Sequence, residues 1–494
     1  MTKTLAIIGG GISGLTAGIY ALQAGYDTTI YEKNSMVGGE CTGWNRQGYH
    51  IDNCVHFLVG CNEEDPLNKI WKNTGVLSDE IKLYREPYFY CMEMNGKKIH
   101  LWRDIEKARN ELFSIAPEDE KELALFFQCV KGCECIQPPC EISPAHMNPF
   151  QYMKMGMSMK NAAKANKEYG KQAMSEFVSR FKNPYIKALF GNFFNNNFSA
   201  LTFVTSYAFY TSNTAAIPEG GSTGMVSRMI QRFTTLGGRI NYSSEVKEVV
   251  IDRGHIRAIK LKNGKDINAD NYIWAADPYP LFHDIIGMQF MDPNLKYMYD
   301  NPAGYEANTG YQAAFGITTN ERLELPEGSV IFPCEEYIIA KKRHSFCGMR
   351  LYDCDEGLFP VNKRVIQCNI LQNADDFDYW AELYNDKAVY ESEKMRIAEE
   401  LKERLEMQYP QLANKLVLLS TYSPVTFNKW CNAYKGGYMS FNVLKGFKSK
   451  YVKNTIEGID NLFLAGQWLQ NSGGLPIAAA EGKFAIAALI KAGR

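Results

Sequence analysis

Apolar residues gather into short blocks at three places along the chain, and in each place glycine and a helical pattern lie close by. The first block, Leu5-Ala-Ile-Ile8, has no polar alternation and so predicts a strand buried on both faces. It runs directly into Gly9-Gly-Gly-Ile-Ser-Gly14. A helix containing a further small residue, Gly18, follows, and a second apolar strand, Thr28-Thr-Ile-Tyr31, ends on the acid Glu32. The middle block consists of Pro218-Glu-Gly-Gly-Ser222 with a helical stretch behind it. Gly237-Gly-Arg-Ile240, Glu245-Val-Lys-Glu-Val-Val250 and Ile273-Trp-Ala-Ala-Asp-Pro278 come next. The last block is Asn461-Leu-Phe-Leu-Ala-Gly466, a short buried strand. Beyond it, Asn471-Ser-Gly-Gly-Leu-Pro476 reads as a turn whose proline opens a helix from Ile477 to Ala492, since proline suits a first helical position.

The stretches between these blocks, 86–216 and 286–414, are rich in Phe, Tyr, Met and Leu. The first predicts helices from Asp104 onward, a stop at Pro138-Pro139, and a longer helical region resuming past Met153. The second mixes strands, such as Arg364 to Leu371, with a long helix from about Lys387 to Gln408. A chain of 494 residues exceeds what one core usually supports. The expected fold is therefore α/β: a Rossmann-like nucleotide-binding domain made of 1–85, 217–285 and 415–494, interleaved with an α+β substrate or cap domain made of 86–216 and 286–414.

The order strand, Gly9-x-Gly11-x-x-Gly14, helix, strand, acid is a dinucleotide-binding fingerprint in its proper context. Gly9 allows the tight turn, Gly11 lets the backbone approach a pyrophosphate, and Gly14 lets the helix pack on the strand. The helix N-terminus offers free N–H groups to phosphate. Glu32, with Lys33 beside it, stands where a ribose hydroxyl pair is held.

A second glycine pair, Gly38-Gly39, and the stretch Trp44-Asn-Arg-Gln-Gly-Tyr-His-Ile-Asp52 follow. Together these resemble the start of the phytoene desaturase, carotenoid isomerase and retinol saturase group of flavoproteins, relatives of the amine oxidases. The resemblance implies FAD rather than NAD, and makes the discontinuous domain an FAD-binding domain. It implies that the C-terminal segment, with Gly466, Gln467, Leu475 and Pro476, lays its helix N-terminus against the flavin pyrimidine edge, where the helix dipole favours an anionic reduced flavin. It also implies that the backbone of Val246 meets the adenine. Two positions depart from the group's pattern: Glu40-Cys41 stands where many relatives place arginine, and Gln467-Trp468 where they often place aspartate.

A net charge of −1 gives no bulk electrostatic case for nucleic acid, which is not an expected partner. The first strand begins by residue 5, which leaves no room for a cleavable leader ahead of it, and no apolar run reaches the ~20 residues of a membrane span. The expectation is a cytoplasmic protein. Thirteen cysteines without a secretion signal read as reduced thiols. Cys129, Cys133, Cys135 and Cys140 cluster, but their spacing fits neither a zinc nor an iron–sulfur pattern, so no metal is expected.

Between Tyr152 and Lys187 the methionines at 153, 155, 157 and 159 precede seven lysines and Arg180, opposed only by Glu168 and Glu176. Two readings stay open: a helix lying peripherally on an anionic membrane, its inner face if the protein is cytoplasmic, or a solvated lysine face. The aromatic tract Phe190, Phe193, Phe194, Phe198, Phe203, Tyr207, Phe209 and Tyr210, interrupted by Asn192, Asn195, Asn196 and Asn197, is either core or the wall of a tunnel for an extended apolar ligand. His56, in Asp52-Asn-Cys-Val-His-Phe57 just past the glycine pair, is the candidate acid or base. A structural histidine is the other reading, and Asp52 reads as an anchor for the loop or for FAD.

These features predict an FAD-dependent oxidoreductase that saturates or desaturates carbon–carbon bonds of an extended apolar, isoprenoid or polyene substrate. No second glycine fingerprint behind a strand is visible. The electron partner is thus a quinone, a soluble carrier or a transient nicotinamide. Alternatives are a redox-neutral polyene isomerase, an amine-oxidase-like enzyme, and a prenyl carrier on the same fold. The intact glycines and Glu32 argue against the carrier.

Overall fold

A computed structural model describes residues 2–493. Its six-stranded sheet has the order Thr455–Ile456, Ile459–Leu464, Asn271–Trp274, Thr4–Ile8, Asp27–Tyr31, Arg239–Asn241, and all pairings except that of the first edge strand are parallel. Strands from the beginning, middle and end of the chain thus lie side by side. The unbroken apolar run at the N-terminus is explained by burial on both faces. Leu5 and Ile7 enter a core with helices Ile12–Gln23, Gly221–Thr235 and Gly474–Lys491, whereas Ala6 and Ile8 face a core closed by the small sheet that carries Val249, Ile256 and Ile259.

Close helix packing on this sheet depends on absent side chains. A Cβ on Gly14 would lie 2.0 Å from the carbonyl oxygen of Gly9, and one on Gly482 would lie 2.5 Å from that of Ser13. The C-terminal helix begins at Gly474, earlier than the expected Ile477, and Pro476 sits inside its first turn. The reason is the turn before it, where Ser472, Gly473 and Gly474 all take positive φ and bring the chain into helical register sooner.

The second sheet has eight strands, including Tyr305–Ile317, Gly328–Ile339, Lys342–Tyr352 and Val365–Gln372. Alternation assigns its faces. Tyr311, Ala313 and Phe315, with Ile366, Cys368 and Ile370, pack beneath the helices Ala374–Leu383 and Lys387–Gln408. The opposite face carries Asn308, Gln312, Gln367 and Asn369. A separate helical layer, including Glu120–Cys133 and Ala200–Thr211, closes a third core. The region past Met153, expected as one long helical stretch, is instead a chain of short helices: Pro149–Ser158, Ala163–Tyr169, Met174–Ser179 and Pro184–Gly191.

Candidate active site

One cavity of about 1650 Å³ runs from the glycine loops of the parallel sheet to the polar face of the second sheet and the helical layer. Of the residues singled out from the sequence, Gly9, Gly11, Glu32, Lys33, Gly38, Gly39, His56, Val246, Gly466, Gln467, Leu475 and Pro476 line it. Gly14 does not. Its close approach to Gly9 makes it a packing glycine beneath the loop.

The loop geometry suits a pyrophosphate. Gly11 is the N-cap of helix Ile12–Gln23 and provides no side chain to satisfy the first N–H groups. Gly11 and Gly38 form a parallel bridge, and the Gly38 N–H donates to the Gly10 carbonyl at 2.9 Å. A Cβ on Gly39 would meet the Gly11 Cα at 3.3 Å, so the two glycine loops touch and leave a wall of bare backbone. Glu32 is buried, with one carboxylate oxygen accepting from the Gly10 N–H at 2.8 Å and the other from the Asn34 N–H at 2.9 Å. Each oxygen keeps capacity for another donor, the requirement for gripping a ribose diol. Lys33 is turned away from a charge role: its ammonium donates to the Lys429 carbonyl at 2.9 Å and to Asn432 Oδ1 at 2.6 Å.

Glu40, which replaces the arginine of the resembling group, is half-buried as a residue and has its carboxyl buried beside the Cys431 thiol, with no charged partner. Burial pushes its carboxyl up to about 8, so the group is largely neutral at pH 7 and adds little like charge beside a phosphate. Gln467 is a brace. Its Nε2 donates to the Tyr438 carbonyl at 3.1 Å, and its Oε1 accepts the Gly474 N–H at 2.8 Å, which holds the start of the last helix in place. Asp52 pins the next loop to helix Gly221–Thr235 by accepting the Ser222 N–H at 2.6 Å and the Cys54 N–H at 3.2 Å.

His56 reaches the cavity, but its imidazole does not titrate near neutrality. Burial and the Arg350 charge push it down to about 3. The same Arg350 donates to the His56 carbonyl at 3.1 Å and pairs with the partly buried Glu86 at 2.7 Å, while the Tyr352 hydroxyl lies 3.5 Å from the ring nitrogen. A neutral ring of this kind accepts a hydrogen bond and binds a proton weakly.

The aromatic tract divides. Phe190, Phe203 and Tyr207 are fully buried core, whereas Phe193, Phe194, Phe198, Phe209 and Tyr210 line the cavity with Asn192, Asn195 and Asn196. Across from them the sheet presents a row of amides missed in the sequence. Gln312 lies directly opposite Asn369, and Gln367 opposite Arg350, which in turn faces Ser329. Gln312 Oε1, Gln367 Oε1 and Asn369 Oδ1 have no hydrogen-bond partner. The available signal was the polar residue at every second strand position, as in Gln367-Cys-Asn369, opposite an apolar face.

Helix Pro149–Ser158 buries none of its residues: Phe150, Met153 and Met157 are 68%, 54% and 65% exposed, while Met155 and, just past its end, Met159 line the cavity. Among the described residues no helix is long and apolar enough to cross a membrane. None of their His, Cys, Asp and Glu side chains group as metal ligands, and burial pushes Cys129, Cys133 and Cys140 up to about 11, 12 and 12.

The family model for flavin containing amine oxidoreductases matches residues 12–490. A phytoene desaturase (lycopene-forming) of Paracoccus sp. is 22% identical over 296 residues, which cover 58% of this chain and 57% of that protein. The chain therefore matches little more than half the length of that relative. A second phytoene desaturase (lycopene-forming), from Pseudescherichia vulneris, is 22% identical over 519 residues and covers 99% of both chains. The solved structure of a putrescine oxidase bound to putrescine superposes with a TM-score of 0.57 at 15% identity, over 99% of each chain, a likeness of fold.

Proposed function

Because the chain belongs to the flavin containing amine oxidoreductase family, and is an FAD-dependent oxidoreductase, we propose that it moves hydride to or from carbon–carbon bonds of an extended apolar substrate. The observation that carries this reading is the continuity of the cavity, in which a bare-backbone wall at one end opens into a chamber lined by Phe193, Phe194, Phe198 and Phe209 at the other. The volume exceeds the roughly 300–1,000 Å³ of an ordinary small-molecule pocket and suits a dinucleotide together with a long second ligand. The 22% identity to phytoene desaturases agrees in substrate class.

The residues divide the work. Gly9, Gly11, Gly38 and Gly39 supply the backbone cradle for the pyrophosphate, Glu32 takes the ribose hydroxyls, and Val246 meets the adenine edge. Gly466, Leu475 and Pro476 face the flavin end, with Gln467 holding that helix start in place. When bound, FAD supplies hydride acceptance and donation. The cavity aromatics exclude water from the reacting carbon and align an extended chain. With His56 held neutral, the proton moves through water or through a hydroxyl such as that of Tyr352.

A second reading draws on the amide row. The unpartnered side-chain oxygens of Gln312, Gln367 and Asn369 are wasted on a pure hydrocarbon, since buried polar groups cost free energy unless bonded. They favour a substrate with a neutral polar group on or near the oxidised carbon. Helix Pro149–Ser158, apolar outside and lining the cavity inside, is placed to draw such a ligand from an anionic bilayer. The visible spectrum of the purified protein, followed through anaerobic titration with hydrocarbon and hydroxylated polyenes, tests these readings. Bleaching or recovery of the flavin band with an extended polyene supports the proposal. No response to any polyene, with response to an amine, overturns it.

A further inference from the structure

The hairpin of strands Gly43–Arg46 and Tyr49–Asp52 pairs Gly43 with Asp52 and Trp44 with Ile51. The register continues one step beyond the strands, where the Asn53 N–H donates to the Thr42 carbonyl at 3.0 Å. The next facing positions are Cys41 and Cys54. The Cys41 thiol, which also donates to the Ser222 carbonyl at 3.9 Å, is close enough to Cys54 to raise its thiol, and both line the large cavity immediately past the second glycine pair. Opposed residues of an antiparallel pair have Cα atoms roughly 4.5–5.5 Å apart, which lies inside the range a disulfide spans.

We propose that Cys41 and Cys54 form a redox-active dithiol that exchanges two electrons with the flavin bound in the same cavity. Each thiol loses its hydrogen and one electron, and one S–S bond forms. The two electrons and two protons pass to the oxidised flavin, which becomes its two-electron-reduced form, and the reverse reaction opens the disulfide. The inference rests on FAD binding in this cavity and is independent of the substrate assigned above.

Two features single out this pair. The neighbouring Cys41 thiol and then burial hold the Cys54 thiol well above the ordinary range, so its exchange with thiols and disulfides is slow, and the position of both side chains on the cavity wall sets them beside whatever the cavity holds. A second pair in which one thiol raises the other, Cys347 and Cys368, lies in the core beneath the helices and does not line the cavity. Pairing of Arg350 with Gln367 also sets Cys368 opposite Met349, two residues from Cys347, so that pair is offset. It serves as an internal control.

The test uses the full-length flavin-loaded protein. After long equilibration in oxidised or reduced glutathione, thiols are trapped in acid by alkylation, and peptides are mapped by mass spectrometry. The expected result is a Cys41–Cys54 link in most molecules under oxidation, none under reduction, and Cys347 and Cys368 alkylated throughout. In anaerobic reductive titration the oxidised parent should take up two more electrons per flavin than Cys54→Ser. Should Cys54→Ser fold poorly, Cys41→Ser gives the same comparison. Absence of the link after full equilibration overturns the proposal. A link that forms without the extra electrons also overturns it, as a merely structural bridge.

Discussion

Around residues 9–14 and 38–39 the cavity wall is backbone, whereas around residues 193–210 and on the polar face of the second sheet it is side chain. The first wall works by what is missing. Gly11 leaves room: a Cβ there would meet the Gly39 Cα at 3.9 Å and the Gly38 carbonyl oxygen at 4.0 Å, both ordinary contacts, so the protein itself does not require glycine at that position and only a ligand does. Gly14, three residues on, is required by the fold, because its Cβ would meet a carbonyl oxygen at 2.0 Å. The second wall works by what is present, with rings on one side and amides on the other. On the proposed reading the pyrophosphate is held by main chain, with Glu32 adding a carboxylate, and substrate choice rests on side chains of other elements.

The largest effect that would break this contrast is at the glycines. Gly14→Val should give protein that is unfolded or free of flavin, since overpacking against rigid backbone costs at least ~1–3 kcal/mol. Gly11→Val should fold with a melting temperature near the parent's but purify colourless. Circular dichroism and the flavin absorbance separate the two. Yellow Gly11→Val protein with full flavin content would show that the bare wall is not the cofactor cradle.

The next largest effect is a pH dependence on the cofactor side. The carboxyls of Glu40 and Glu481 are raised to about 8 and about 7 by burial. Both are higher in the folded than in the unfolded chain, so their favourable neutral state is fully present below about pH 4.5. That stability is lost as pH rises through 7 to 8. The thermal midpoint of flavin-free protein should therefore fall between pH 5 and pH 9, and Glu40→Gln should flatten the upper part of that fall. An unchanged slope in the variant would place the titration elsewhere.

On the substrate side the effects are smaller. Gln312→Leu and Asn369→Leu should weaken binding of a hydroxylated polyene by about 2–10-fold each, the worth of one hydrogen bond, and leave a hydrocarbon polyene unaffected or tighter. Equal effects on both ligands would remove the amide row from recognition. The smallest effect is expected at His56. With its ring held at about 3, His56→Gln should change the rate of flavin reduction by no more than a few-fold, with no shift of the pH profile near neutrality. Rapid anaerobic mixing measures both.

The sequence made the nucleotide side legible because its constraints are local. Strand, glycines, helix and acid fall within the first 32 residues, and the spacing alone carries the geometry. For His56 the sequence leaves an acid or base role and a structural role open, because burial and then the charge of Arg350, 294 positions away, decide between them only in the fold. The amide row shares this difficulty, since Gln312 and Asn369 become neighbours only through strand pairing. The aromatic tract was ambiguous for a different reason: the cavity rings Phe193, Phe194 and Phe198 lie in the non-helical segment between helices Pro184–Gly191 and Ala200–Thr211, where periodicity does not tell core from cavity.

On the proposed function, one cavity holds FAD and an extended apolar ligand end to end. Plugging its aromatic end without touching the glycine loops tests this most directly. Leu201→Trp and Thr205→Trp place bulk beside Phe194 and Phe209 on the cavity wall. In an anaerobic titration with a long polyene, both variants should keep the parent's flavin content and lose the polyene-induced change in the flavin spectrum. An undiminished spectral change in both variants would contradict it.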